Sequence, residues 1–262
     1  SVIVRDALNN PVSGVTVTFA VATGGGSVTG ATQVTNAQGI ATVGSWTLGT
    51  TAGANTLSVS SGTLSGSPLT LTATGTAGPA TQLALNGGST SGTIGQALAT
   101  PPSVVARDAF NNPVQGVSVT FAVVTGGGSG TGLTQTTNAQ GIATVGSWTL
   151  GALVGANTMT ATSGSLSGSP LTIAATGLTS GATQMALNGG STSGTAGSAV
   201  NTPPSVVVKD ASNNPVAGVP VTFAVGSGGG TLTGPNQTTD ANGIATVGSW
   251  TLGGTAGTNT LT

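Results

Sequence analysis

An eleven-residue string, GIATVGSWTLG, occupies residues 39–49 and returns unchanged at 141–151 and 243–253. The same interval of 102 residues separates Trp46, Trp148 and Trp250, Phe19, Phe121 and Phe223, and Asp6, Asp108 and Asp210. No insertion or deletion breaks this register, so whatever one period folds into, the chain builds again. A period of this size is that of a small β-sandwich, typically about 100 residues. The repeats are predicted at 1–78, lacking its first strand, at 79–179, complete, and at 180–262, lacking its last strand. That phase is expected of a stretch cut from a longer tandem array, or of a subunit whose ends are completed by neighbours.

Within one period the side chains alternate. In GVSVTFAV (116–123), Val117, Val119, Phe121 and Val123 are separated by Ser118, Thr120 and Ala122, the period-2 pattern of a strand with one buried face. TQLALNG (81–87), the first part of PPSVVARDAF (101–110), ANTMTAT (156–162) and SPLTIAATG (169–177) are further strands. No helical periodicity occurs, and turn signals recur every 8–12 residues, which predicts an all-β antiparallel sandwich. In the repeated string Ala143 and Val145 share one parity and Trp148 and Leu150 the other. An extra residue at Gly146–Ser147 would turn all four inward, so a β-bulge is expected there. The connecting segments GTAGPA (75–80) and GLTSGA (177–182) are short enough to restrict the orientation of neighbouring repeats, giving a jointed rod.

Composition removes whole classes of function. Only 3% of residues are charged, against roughly 25% in ordinary soluble domains. Arg5, Asp6, Arg107, Asp108, Lys209, Asp210 and Asp240 are all of them. A net charge of −1 offers nothing to nucleic acid or an anionic membrane, and no apolar run is long enough for a membrane-spanning helix. With no His, Cys, Tyr or Glu, the usual general bases and activated nucleophiles are missing. Ser45, Ser147 and Ser249 have no histidine to activate them. No enzyme activity and no cofactor are expected.

Glycine triplets at 24–26, 126–128 and 228–230 lack the Gly-Lys-Ser/Thr that a phosphate cradle needs, so flexible hairpin connections are expected. Calcium requires several oxygen ligands per site. Asp240 with Asn242 is the best candidate, but its counterparts Asn36 and Asn138 carry no charge, so a turn is predicted rather than a metal site. Asn236-Gln237-Thr238 is an isolated glycosylation-type sequon. A nearly uncharged surface of Thr, Ser, Asn and Gly favours association and suits an extracellular assembly.

Two sets of residues stand out as structural. Phe19, Trp46, Phe121, Trp148, Phe223 and Trp250 are expected in the cores, since these repeats hold few other rings. The sharper alternative makes the tryptophans a row of sugar-stacking platforms. Asp6, Asp108 and Asp210 each end a strand before an Asn-Asn-Pro turn, at Asn10–Pro11, Asn112–Pro113 and Asn214–Pro215. Each aspartate is expected to cap its turn through backbone amides, leaving the preceding base to reach solvent or the next repeat. Asp240 is expected to form a turn of its own.

The segment VVKDASNNPVAGVPVTFAV (207–225), followed by TTDANGIATV (238–247), resembles the bacterial Ig-like domains of group 1, the tandem repeats of intimin and invasin adhesins and of giant bacterial surface proteins. The resemblance implies immunoglobulin-like β-sandwiches stacked end to end as an extracellular stalk, with receptor binding usually in a separate terminal domain. Two departures matter. The family's usual glycine before Asn-Pro is Asn9, Asn111 or Asn213 here, and Asp-Ala-Asn-Gly survives only at 240–243, becoming Asn-Ala-Gln-Gly at 36–39 and 138–141.

The expected function is a structural module of a bacterial surface fibre or adhesin stalk, its partners being neighbouring copies of itself, with host or environmental glycans engaged through domains outside this stretch. The alternatives are a filament completed by strand exchange between subunits and a multivalent carbohydrate-binding array.

Overall fold

Alternation dictates the layers. On the strand Ser118–Thr125, Val119 and Phe121 are buried while Ser118, Thr120 and Ala122 face out, so this strand covers a core on one side only. It is the fourth strand of a five-stranded sheet in the computed structural model, which describes residues 1–262. The order is Ser91–Thr93, Leu171–Leu178, Gly155–Thr162, Ser118–Thr125, Thr134–Thr136. A three-stranded sheet of Ile142–Thr144, Ser103–Arg107 and Gln82–Gly87 faces it. A two-stranded ribbon, Ser129–Thr131 with Ser147–Thr149, closes the side.

One pairing departs from the antiparallel rule. Ser91–Thr93 runs parallel to Leu171–Leu178, with Ser91 opposite Thr176. The chain leaves the three-stranded sheet after Gly87 and joins the other sheet a few residues on, where it meets the last strand of the repeat running the same way.

Between these layers lies a core of 14 buried apolar residues, among them Leu83, Val104, Phe121, Trp148, Met159 and Ile173. The first and third repeats pair their strands in the same register: Phe19 opposes Val59 as Phe121 opposes Ala161, and Val206 opposes Ala245 as Val104 opposes Ala143. Their cores are smaller. Met185, the counterpart of the buried Leu83, is exposed, whereas Leu83 is clustered with Ile173 and Ala175 of Leu171–Leu178. No helix is long and apolar enough to cross a membrane.

Candidate functional site

The repeated string is a corner, not a bulged strand. Ile142–Thr144 pairs with Ser103–Val105 in the three-stranded sheet, whereas Ser147–Thr149 pairs with Ser129–Thr131 in the ribbon, with Gly130 opposite Trp148. The chain changes ladders at Gly146, whose N–H donates to the Thr131 carbonyl at 3.0 Å, and a Cβ there would sit 2.9 Å from that oxygen. The expected bulge is therefore replaced by a switch between ladders, which reverses facing just as a bulge does. Ala143, Val145, Trp148 and Leu150 are all buried.

Trp148 is 0% exposed and Trp250 8%, so neither ring offers a face for a sugar to stack on. Trp46 is half-buried against the first core. The indole N–H of all three is buried without an acceptor. Phe19, Phe121 and Phe223 are buried, and Phe110 is on the surface.

The glycine triplets are not loose connections. Gly126, Gly127 and Gly128 all have φ near +80°, a region that favours glycine, and their backbone packs tightly. A Cβ at Gly128 would overlap the Thr149 carbonyl oxygen, and one at Gly151 would overlap that of Gly126. Behind them stands Asn157, 0% exposed. Its Oδ1 accepts the Gly151 N–H at 3.0 Å and its Nδ2 donates to the Gly155 carbonyl at 3.1 Å, so both ends of the amide hold the loop 151–155. Asn55 repeats this arrangement on Gly49 and Gly53, and Asn259 on Gly253 and Gly257.

These asparagines were not among the residues singled out from sequence. The available signal was an Asn at the same place in GAN, GAN and GTN after each string. Thr137 was missed likewise: buried, it accepts the Val117 N–H at 2.9 Å and donates to the Val114 carbonyl at 2.7 Å, as Thr35 and Thr239 do in their copies.

At the opposite end of each repeat lies the Asp-Asn-Pro turn. Asp108 Oδ1 accepts the N–H of Phe110 at 2.9 Å and of Asn112 at 2.8 Å, and Asn112 Nδ2 donates to Oδ2 at 2.9 Å. Asn111 takes φ = 68°, and Arg107 and Pro113 meet in an isolated bridge across the turn. The Arg107 Nη1 folds back on its own turn, donating to the Asn111 carbonyl at 2.9 Å. Asp6 with Asn10 and Pro11, and Asp210 with Asn214 and Pro215, repeat the turn. Asp240 makes a smaller one, accepting the N–H of Asn242 and of Ile244 at 2.8 and 2.9 Å. Asn36 and Asn138 hold the same shape with an amide oxygen, so the turn does not require charge.

Asp108 and Asn112 also touch the preceding repeat and its connecting segment. Asp108 Oδ2 accepts the Gly78 N–H at 2.9 Å. Asn112 Oδ1 accepts the Ala52 N–H at 2.8 Å while its Nδ2 donates to the Thr50 carbonyl at 2.8 Å. In the next junction Asn214 Nδ2 donates to the Ala152 carbonyl at 3.1 Å. Asp108 and Asp210 are buried, whereas Asp6, with the same turn, is exposed.

The carboxylates respond to these donors. The Asn112 side chain, aided by the amides of Gly78, Asn112 and Phe110 and opposed by desolvation, holds Asp108 down at about 2. At Asp210 burial, the largest influence, pushes the carboxyl up. The Asn214 amide and side chain and the amides of Ser212 and Ser180 outweigh it, leaving the group below its ordinary value. Asp6 is lowered by the backbone and side chain of Asn10 and by the Leu8 amide. With N–H donors on both oxygens, Asp108 has little left to offer a cation, and no three His, Cys, Asp or Glu side chains group closely enough to hold one.

Comparison with known proteins agrees with this architecture. Residues 184–262 match the family model of the bacterial Ig-like domain (group 1). No curated protein sequence matches the chain. Among solved structures, the Escherichia coli adhesin FdeC aligns over 96% of this chain and 82% of its own, with a TM-score of 0.60 and 21% identity. InvD of Yersinia pseudotuberculosis aligns over 99% and 78%, with a TM-score of 0.53 and 22% identity. Likeness at this identity establishes the fold. Residues 184–262 are thus similar to the bacterial Ig-like domain of group 1, and the strand register shared by the copies makes the chain a tandem array of Ig-like sandwiches.

Proposed function

We propose that the chain is a structural segment of an extracellular bacterial fibre or adhesin stalk, in which Ig-like units spanning 1–78, 79–179 and 180–262 add length and carry no catalytic chemistry. The observation that carries this reading is the junction: residues 102 apart, Asn112 and Asn214, dock onto equivalent loops of the preceding unit at residues 50–52 and 152. A repeated docking contact is what an array of fixed step needs, and a near-absence of charge together with the burial of Trp148 and Trp250 leaves few other roles. The likeness to FdeC, described as an adhesin, supports a place at the cell surface.

The test is to append further 102-residue periods to the chain and measure particle length by negative-stain electron microscopy. Each added period is expected to lengthen isolated particles by a constant step. Filaments that grow with protein concentration would replace this reading with assembly by strand exchange.

A further inference from the structure

The Asn-Asn-Pro turn does two things that are separable in this chain. Inside its own unit the asparagine tightens the turn: Asn10 Nδ2 donates to Asp6 Oδ2 at 3.2 Å and Asn112 Nδ2 to Asp108 Oδ2 at 2.9 Å. Asn112 and Asn214 also reach the preceding unit. At the first junction the carboxamide presents its C=O to the Ala52 N–H and its NH2 to the Thr50 carbonyl, both at 2.8 Å. A strand edge makes the same donor–acceptor pair with a neighbouring peptide. Side chain and loop therefore meet as two strand edges would, and the geometry of two opposed hydrogen bonds sets direction as well as distance.

We propose that Asn112 and Asn214 are the locking residues of an interdomain clasp. Each seats its unit on the Trp-strand loop of the unit before it, and so fixes the angle between successive units without a metal ion. Asp108 is the positioning residue: it holds the asparagine amide from one side and the connecting segment, through the Gly78 N–H, from the other. Its oxygens are used by N–H donors, which is why hydrogen bonds take the place that a bridging cation would need carboxylate lone pairs to fill. The inference concerns the joint and stands whether or not the array serves as a stalk.

The chain has no cysteine, so spin labels on introduced cysteines at the exposed positions Thr70 and Thr172 report the first joint cleanly. The full-length protein is expected to give one narrow distance distribution, unchanged by calcium or by a chelator. Asn112→Ala is expected to widen it at least twofold, whereas Asn10→Ala, which loses the same bond within a turn but no joint contact, leaves it as it was. An Asn112→Ala protein that keeps the narrow distribution, or a wild type that is already broad or narrows only on adding calcium, overturns the clasp. Tryptophan emission checks that the middle unit remains folded. Should it unfold, Asn214→Ala with labels at Thr172 and Thr231 decides the matter at the second joint by the same criterion.

Discussion

The two joints are built from the same residues one period apart and yet are not equally made. In the first, the Asn112 carboxamide uses both ends, at 2.8 Å each. In the second, Asn214 keeps the donor half, lengthened to 3.1 Å on Ala152, and its oxygen takes no partner across the joint. The turns themselves match, with Asn111 and Asn213 at φ 68° and 69°. What differs is the socket: Thr50, Thr51 and Ala52 in the first unit stand where Ala152, Leu153 and Val154 stand in the second. The contrast teaches that repeating the locking residue is not enough. The fit of a joint is set by the more variable loop that receives it.

The largest way to break the comparison is to remove a socket altogether. Asn157 holds the loop under the second joint through Gly151 and Gly155, and Asn55 holds the first through Gly49 and Gly53. Replacing either with alanine removes the two hydrogen bonds of a fully buried carboxamide, at a cost of about 1–3 kcal/mol, read as a lowered denaturation midpoint of that unit. Asn157→Ala is expected to widen the angle between the second and third units and spare the first joint, and Asn55→Ala to do the reverse. If both substitutions loosen both joints equally, the sockets are not independent and the comparison fails.

A smaller effect sharpens it. The triple substitution Ala152→Thr, Leu153→Thr, Val154→Ala gives the second socket the sequence of the first. The residue 154 N–H is then expected to reach Asn214 Oδ1, adding one hydrogen bond worth about 0.5–1.5 kcal/mol. The amide of residue 154 would gain protection from hydrogen exchange, and the distance distribution across that joint would narrow to that of the first. Unchanged exchange would place the difference elsewhere than the socket.

Much of a single unit is legible in its sequence, because burial there follows a period of two: Val119 and Phe121 against Ser118 and Thr120 need no structure to sort. The carboxylate-led turns are legible too, since few residues other than Asp and Asn bond their own backbone in this way. The corner at Gly146 was not, because a change of parity looks the same whether a strand bulges or crosses to another ladder. Gly126–Gly128 read as flexible because composition does not show what a glycine packs against; here the neighbours are Asn157 and the backbone of Gly151. Asn157 itself sits at a buried parity where a polar residue is unexpected. The clasp is the least legible element. Asn112 and Asn214 sit in a motif that reads as a turn alone, and only tertiary structure shows that they also hold the preceding unit.

Acid probes the same joints through Asp108. Its carboxyl lies near 2 in the folded chain against an ordinary 3.8, so the folded state favours the charged form. The stabilisation is complete above about 4 and is lost as the pH falls through 2. Between pH 7 and 5 the first joint is therefore expected to be unchanged, and its distance distribution to broaden only near pH 2. Carboxyl carbon shifts followed by NMR would show Asp108 titrating below the ordinary value. A midpoint at or above 3.8 would mean that the donors on Asp108 do not hold in solution.

The smallest expected effect is at the bases beside the aspartates. Arg107 donates only to the Asn111 carbonyl, within its own turn and in solvent, and Lys209 in the second joint makes no such bond. Arg107→Ala and Lys209→Ala should each shift stability by no more than about 0.5 kcal/mol, and neither should move the angle between units. This pair separates two accounts of the joints. If the turn's overall shape were what docks, removing the brace that Arg107 adds to the turn would loosen the first joint and leave the second untouched. If the asparagine amide is what docks, both joints ignore the loss of Arg107 and Lys209, and the loss of Asn112 or Asn214 registers in the distance distributions.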